Sequence, residues 1–209
     1  MPEASLTHRA HLPDGAGPHP ALVLVHGWQG NERVMEAFHS SLPAPTALFY
    51  PRAPFEAGPG YGWFLKSGRE GDETFAVGLA ALRGFVAGLP LAYPAVDAAR
   101  ITLMGFSQGA AISAALLLAA PELARGAALL AGLLPDQAAA WATPGRLAGK
   151  PVFMAHGTRD DVLPVTAARA ARDALAGAGA AVTYHEYPIG HKLSAQGMRD
   201  LTAWLRARV

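Results

Sequence analysis

The sequence predicts an α/β fold in which a mostly parallel central sheet is covered by helices on both faces. Apolar, β-rich runs alternate with helix-like segments along the chain, and several of these runs are apolar throughout, as expected for strands buried on both sides. Hydrophobic residues make up 51% of the 209 residues and charged residues 16%, which indicates a compact globular chain. We expect a single domain, residues 1–209, without a large inserted cap.

Most of the predicted elements have a local signal at one end. Gly27 closes the first strand, and Asn31 and Asp72 are candidate caps for the first two helices. Pro121 ends the third helix because a proline cannot continue the helical hydrogen bonding. The predicted strands are residues 21–27, 46–54, 100–106, 126–134, 150–157 and 181–188. The predicted helices are residues 31–42, 72–89, 108–120, 164–178 and 194–208.

Composition argues against several classes of partner and site. The formal net charge of +1 gives no reason to expect nucleic acid or an anionic membrane surface as the partner. The chain has no cysteine, which excludes disulfides, thiol nucleophiles and cysteine-based zinc sites. The start "MPEASLTHRAHLPDG" lacks the pattern of a signal peptide, and the apolar run 110–120 is too short to span a membrane. We therefore expect a cytoplasmic protein without a membrane span.

A serine flanked by two glycines follows the third predicted strand. Gly105-Phe106-Ser107-Gln108-Gly109 has the Gly-x-Ser-x-Gly pattern of a nucleophile elbow, a tight strand-to-helix turn that exposes the serine hydroxyl. The pattern alone is weak, because small-residue loops also match it. Its place between a buried strand and an alanine-rich helix makes it specific. Ser107 is therefore the candidate nucleophile.

A serine nucleophile needs a base, and the base needs an orienting acid. In parallel sheets, active groups collect at the carboxyl ends of the strands, and His191 follows the last predicted strand. It is the candidate base. Asp160 follows the strand 150–157 and is the favoured acid, while Asp161 and Asp136 remain alternatives.

The stretch "HGWQG", which follows the first strand, is the candidate oxyanion loop. The backbone N–H groups of Trp28 and Gln108 can together donate to a developing negative charge, as acyl transfer requires. His26 is interpreted as a residue that holds this loop. A metal site built from His26, His156 and an aspartate is an alternative, but these residues lack the spacing of helical metal ligands.

Apolar residues adjoin several of these strand ends and predict a shallow apolar acyl groove without a deep tunnel. Ordinary core packing is the alternative explanation for each of them. The residues predicted to contact the substrate are Trp63, Phe106, Leu133, Leu163 and Leu193.

Five stretches carry a resemblance to a known family and cover about residues 20–205. They are "LVHGWQGNE", "PRAP…GYGWF", "RITLMGFSQGAA", "HGTRDDVLPV" and "YPIGHKLS". The chain resembles the α/β-hydrolases, specifically the carboxylesterase/phospholipase family that includes acyl-protein thioesterases. The resemblance implies a triad of Ser107, Asp160 and His191, in which the acid is the first aspartate after His-Gly-x-x. It also implies an oxyanion hole from the backbone of Trp28 and Gln108.

Three positions depart from the family pattern. Gln29 stands where glycine is frequent, Ala110 follows the elbow where a third glycine often does, and Asp161 replaces a frequent proline. No departure removes a catalytic group, so their effect is on the shape of the pocket and the choice of substrate.

The resemblance implies a serine carboxylesterase that needs neither a metal nor an organic cofactor, and the predicted shallow groove favours short-to-medium acyl esters. A lysophospholipase or an acyl-protein thioesterase would use the same groups. A dienelactone-hydrolase-like enzyme with a cysteine nucleophile is excluded by composition. An inactive binding protein on the same fold is the alternative from another class. The expected partner is a small-molecule ester, and the sequence leaves the choice between monomer and homodimer open.

Overall fold

The computed structural model describes residues 6–65 and 68–208, and its centre is one mixed sheet. The strands are β1 (His8–His11), β2 (His19–Val25), β3 (Ala47–Pro51), β4 (Phe55–Ala57), β5 (Gly60–Gly62), β6 (Val96–Phe106), β7 (Gly126–Leu130), β8 (Pro151–Gly157) and β9 (Ala181–Tyr187). The α-helices are α1 (Gly68–Ala92), α2 (Gln108–Ala119), α3 (Asp136–Ala139), α4 (Val165–Gly177) and α5 (Ala195–Arg206). Two 3₁₀ helices, Val34–Ser41 and Pro121–Leu123, complete the described elements.

The order of the strands brings the carboxyl ends of β2, β6, β7, β8 and β9 to one edge. Within the described residues the large sheet has the order β1-β3-β2-β6-β7-β8-β9, while β4 and β5 form a separate hairpin. β1 pairs antiparallel with β3, and the other neighbours pair in parallel. The register pairs Val25 with Gly105 and Gly105 with Leu129, so the central strands end at similar heights. The loops that follow them therefore meet above the same edge.

Side chains of the buried strands alternate between two apolar layers. Val23 and Val25 of β2 lie in the layer covered by α1, α2 and α4, while Leu22 and Leu24 lie in the layer covered by α5 and the 3₁₀ helix Val34–Ser41. This alternation is the period-2 geometry of a strand that is covered on both faces. The predicted fold, a mostly parallel sheet with helices on both faces, is confirmed.

The structure departs from the local predictions in several places, and the predicted strand 126–134 already ends at Leu130. The segment predicted as a helix over 31–42 is a 3₁₀ helix over Val34–Ser41. Asn31 does not cap it, because its side-chain oxygen accepts from the N–H of Arg33 at 2.9 Å and holds a turn before the helix begins. β1 was not predicted, since its sequence "HRAH" is polar and half exposed, as edge strands often are. The hairpin β4-β5 was missed because each strand has only three residues.

Helix α1 resembles a membrane-crossing helix in composition. Between Gly71 and Ala92 it is the one helix of the described residues that is long and apolar enough to cross a bilayer, which the sequence interpretation had not anticipated. In the fold, Phe75, Leu82 and Leu89 of this helix are buried against the core. A core helix passes the same length and composition test, so the helix is weak evidence for a span.

Candidate active site

The turn at Ser107 is a strained strand-to-helix elbow. Ser107 has φ 55° and ψ −118°, a conformation that is rare for residues other than glycine. A side chain at Gly105 would overlap the backbone of Gly109, and one at Gly109 would overlap the carbonyl of Val25. The backbone N–H of Ser107 donates to the carbonyl of Leu130 in β7 at 2.8 Å, which ties the elbow to the sheet. The two glycines are therefore required because α2 begins so close to β2 and β6.

The structure brings Ser107, His191 and Asp160 into one hydrogen-bonded chain. The distance from Ser107 Oγ to His191 Nε2 is 2.9 Å, and the distance from His191 Nδ1 to Asp160 Oδ2 is 2.7 Å. A carboxylate only accepts, so Nδ1 carries the hydrogen and Nε2 is left to accept from the serine hydroxyl. Of the three candidate acids, Asp160 is the one that reaches His191, whereas Asp161 and Asp136 are exposed to solvent.

The carboxylate of Asp160 is buried but well supplied with donors. Its side chain is fully inaccessible to solvent, and Oδ1 accepts from the backbone N–H groups of Val162 and Leu163, each at 2.9 Å. Burial alone would raise the pKa of Asp160, but the bonds from Leu163, His191 and Val162 outweigh it and hold that pKa below its ordinary value. Asp160 is therefore ionised at neutral pH and can hold the histidine ring in one tautomer.

His26 lies behind the cleft and fixes the loop that follows β2. Its Nε2 accepts from the N–H of Ala53 at 3.0 Å, so Nδ1 carries the hydrogen and donates to the carbonyl of Gly27 at 2.7 Å. The side chain is fully buried, and this burial lowers the pKa of His26. Trp63 Nε1 donates to the His26 carbonyl at 2.9 Å. These contacts agree with the interpretation of His26 as a residue that holds the loop.

Gln108 sits at the first position of α2 and is anchored through its side chain. Oε1 accepts from the backbone N–H of Trp63 at 2.8 Å, and Nε2 donates to the carbonyl of Phe64 at 2.7 Å. The N–H at the first position of a helix has no acceptor within the helix, and it lies at the positive end of the helix dipole. Trp28 and Gln108 line the same cleft as Ser107. This is where an oxyanion hole would lie.

An apolar cleft of about 850 Å³ opens over Ser107 and His191. Four of the five residues predicted to contact the substrate line it, namely Phe106, Leu133, Leu163 and Leu193. The sequence analysis missed six further apolar residues of the wall, which are Val34, Met35, Phe38, Phe64, Ala111 and Val162. The spacing of Met35 and Phe38, three residues apart, was the available signal, because it places both on one face of a helical turn.

The prediction for Trp63 is wrong. Its side chain is fully buried, does not line the cleft, and packs beside His26 with ring centroids 5.5 Å apart. The reason lies in its indole N–H, which needs a buried acceptor and finds the His26 carbonyl. The next residue, Phe64, faces the cleft instead.

The alternative of a metal site gains no support from the geometry. In residues 6–65 and 68–208 no group of three or more histidine, aspartate or glutamate side chains is arranged to hold a metal ion. His26 bonds to the backbone of Gly27 and Ala53, and His156 bonds to the carbonyl of Leu163.

The comparison with known families identifies the chain. A family model described as Phospholipase/Carboxylesterase matches residues 82–209, which include the elbow and the loops of Asp160 and His191. The chain belongs to the phospholipase/carboxylesterase family. The predicted resemblance to this family of α/β-hydrolases is confirmed.

Relatives within the phospholipase/carboxylesterase family are distant in sequence. Carboxylesterase SOBER1 of Arabidopsis thaliana is 29% identical over 111 residues, which is 52% of this chain and 49% of that protein. The probable carboxylesterase Os04g0669500 of Oryza sativa is 32% identical over 108 residues, which is 51% of this chain and 41% of that protein. The matched part of the chain thus spans less than half the length of these curated relatives.

Solved structures of similar proteins match over nearly the whole chain. The carboxylesterase of Bacillus cereus is 25% identical with a TM-score of 0.87, and the match covers 99% of this chain and 96% of that one. Esterase PE8 is 28% identical with a TM-score of 0.83, and the match covers 99% of this chain and 100% of that one. The phospholipase/carboxylesterase family member described here therefore has the α/β-hydrolase fold.

Proposed function

We propose that this protein is a serine carboxylesterase that hydrolyses short-to-medium acyl esters through an acyl-enzyme intermediate. The observation that carries the proposal is the hydrogen-bonded chain of Ser107, His191 and Asp160 at the floor of an apolar cleft. Such an arrangement provides a nucleophile, its general base and the group that orients the base. Membership of the phospholipase/carboxylesterase family supports the same reaction class.

In the proposed mechanism, Ser107 Oγ attacks the ester carbonyl while His191 Nε2 takes the hydroxyl proton. The C–O bond to the alcohol then breaks, and His191 returns that proton to the leaving oxygen. A water molecule attacks the acyl-enzyme with the same base, which releases the carboxylic acid and restores Ser107. Asp160 remains ionised throughout and stabilises the imidazolium of His191.

The proposed oxyanion hole consists of the backbone N–H groups of Trp28 and Gln108. Support comes from the fixed position of both residues. His26 holds the loop after β2, which contains Trp28, and both atoms of the Gln108 side-chain amide bond to backbone groups. Donors that are already oriented stabilise the developing negative charge without further rearrangement. Each such donor contributes about 3–4 kcal/mol to the transition state in comparable enzymes.

We expect soluble substrates with short or medium acyl chains, and the open form of the cleft supports this expectation. Its rim residues Val34 and Val162 are 48% and 59% exposed, so an acyl chain can enter from water without displacement of a covering segment. Its volume is within the usual range for sites that bind small molecules.

A panel of acyl esters tests the proposed activity directly. We expect hydrolysis across a series from acetyl to palmitoyl esters of one alcohol, with the highest kcat/KM at short-to-medium chains. Because the cleft is open, the rate should not rise sharply where the substrate begins to form micelles. Absence of ester hydrolysis would contradict the function, while an optimum at long chains or a jump at the micellar threshold would contradict the proposed range.

A lysophospholipase is a second candidate because of one charged group at the cleft. Lys192 is the charged side chain among the described lining residues, and it follows His191 directly. A cation at this place suits the phosphate of a lysophospholipid. The same panel, extended with lysophospholipids and acyl thioesters, separates these functions.

The pH dependence of the reaction follows from the need for a neutral base. We expect kcat/KM to rise from acid towards neutral pH, because the general base must be neutral to take the serine proton. The pKa of Asp160 is held below its ordinary value, so this carboxylate is already ionised over the rise. A pH series with a soluble ester checks the prediction, and a rate that is flat from acid to neutral pH would contradict a histidine base.

A further inference from the structure

A second histidine lies directly beside the carboxylate of Asp160. His156 is near the end of β8, and its side chain is only 1% exposed. Its Nε2 lies 2.9 Å from the carbonyl oxygen of Leu163 and 3.4 Å from Asp160 Oδ2. The proposed mechanism uses no group of His156, so its place under the acid needs an explanation of its own.

The surroundings of His156 define which ring nitrogen carries the hydrogen. The carbonyl of Leu163 only accepts, so Nε2 must donate. The other ring nitrogen, Nδ1, is buried and has no hydrogen-bond partner among the described residues. A hydrogen there would be an unsatisfied donor in the core, which is costly. His156 therefore presents Nε2 as a hydrogen-bond donor to the loop of Asp160.

The bond from His156 is one of two hydrogen bonds that hold the backbone of Leu163. The N–H of Leu163 donates to Asp160 Oδ1, while its carbonyl accepts from His156. Leu163 is thus held through both its N–H and its carbonyl, and its N–H in turn bonds Asp160 Oδ1. With Oδ1 occupied, Oδ2 remains for His191 Nδ1 at 2.7 Å. The orientation of the acid is therefore coupled to a buried ring that does not touch the substrate cleft.

We infer that His156 is a positioning residue that sets the carboxylate of Asp160 for its bond to His191. The inference rests on the proposed function, because it assigns His156 a role through the triad. It acts by holding the loop from Gly157 to Leu163 in one conformation and by placing a donor hydrogen beside Oδ2. Loss of this donor leaves the carbonyl of Leu163 unsatisfied and frees the carboxylate to rotate away from His191.

A pair of amide variants at position 156 tests the inference. In His156→Gln the amide N–H reaches about as far as Nε2, whereas in His156→Asn it is one methylene short of the Leu163 carbonyl. We expect His156→Asn and His156→Leu to lower kcat about tenfold to a hundredfold with KM changed less than about twofold, the range for a lost bond that serves a charged group. His156→Gln should recover most of kcat. Equal turnover of the Gln and Asn variants would overturn the inference.

A stability control separates positioning from damage to the core. Met154 lies two residues earlier on β8 and is buried in the core. Met154→Ala should lower Tm, yet below its Tm it should retain the kcat of the unmodified protein. Proton NMR gives a second readout, the strongly downfield signal of the hydrogen between His191 Nδ1 and Asp160 Oδ2. This signal should be unchanged in Met154→Ala and shifted or lost in His156→Asn. Loss of kcat in Met154→Ala to the same degree would contradict a specific role for His156.

A double-mutant cycle with Asp160→Asn shows whether His156 acts through the acid. If it does, adding His156→Asn to Asp160→Asn should lower kcat by less than about twofold, because no carboxylate is left to position. Full additivity of the two losses would refute the inference. Failure of the proposed function is a different result: the unmodified protein would then hydrolyse no ester, or turnover would persist in Ser107→Ala, whatever the effect at position 156.

Discussion

Ser107→Ala is expected to abolish ester hydrolysis and labelling by a fluorophosphonate probe while the fold is retained. Removal of the nucleophile from a triad lowers kcat on the order of 10⁶-fold, because the three groups act as a unit. Alanine has nearly the size of serine, and the elbow at φ 55° is about as strained for one as for the other. The measurements are turnover of a soluble ester, probe labelling and Tm.

Ser113→Ala is the matched control for this experiment. Ser113 lies on α2, the helix that begins directly after Ser107. It is fully buried, and its hydroxyl has no hydrogen-bond partner among the described residues. Its removal should therefore leave labelling and turnover unchanged. Labelling that persists in Ser107→Ala would show that another residue is the nucleophile.

The second large effect is expected from Asp160→Asn, which should lower kcat about 10⁴-fold. An amide in place of the carboxylate no longer favours the tautomer in which His191 Nδ1 carries the hydrogen, and it supplies no charge to the imidazolium. The neighbouring variant Asp161→Asn is the control, since Asp161 is exposed and the structure does not bring it to His191. Turnover of both variants should be compared at one pH above the rise of the activity profile. A large loss in Asp161→Asn with a small one in Asp160→Asn would assign the acid to Asp161.

The positions of the site residues could be predicted because they depend on strand order and little else. Ser107 and Asp160 follow the apolar strands β6 and β8, His191 follows the edge strand β9, and the carboxyl ends of parallel strands meet at one edge. Periodicity was enough to find those strands. The preference for Asp160 over Asp161 also agrees with the geometry, because the loop after β8 turns the second carboxylate outward to solvent.

The walls of the cleft were harder to predict, because they depend on how loops pack. Trp63 and Phe64 are adjacent aromatic residues in a short loop. The buried carbonyl of His26 binds the indole N–H of Trp63, so Trp63 enters the core and Phe64 is left to line the cleft. The wall formed by Met35 and Phe38 lies on a 3₁₀ helix whose start is shifted by the turn at Asn31. Neither effect appears in the pattern of apolar residues.

The proposed role of His156 was hidden for a similar reason. In the sequence it is a histidine at the end of a buried strand, and it was weighed there as a metal ligand. Its bond to Leu163 arises from the path of the loop between Gly157 and Leu163, which returns over the strand end. Contacts made by such a return cannot be derived from residue spacing alone.

The order of the catalytic groups along the chain also bears on when the protein becomes active during its synthesis. Ser107 follows β6, in the middle of the sheet, whereas Asp160 and His191 follow β8 and β9, the last two strands in both sequence and sheet order. A ribosome delivers the earlier segments first. A nascent chain that has reached only β6 and α2 therefore carries Ser107 without the proposed base and acid. The proposed triad is complete only when β8 and β9 have joined the sheet, so the onset of turnover should report the last steps of folding.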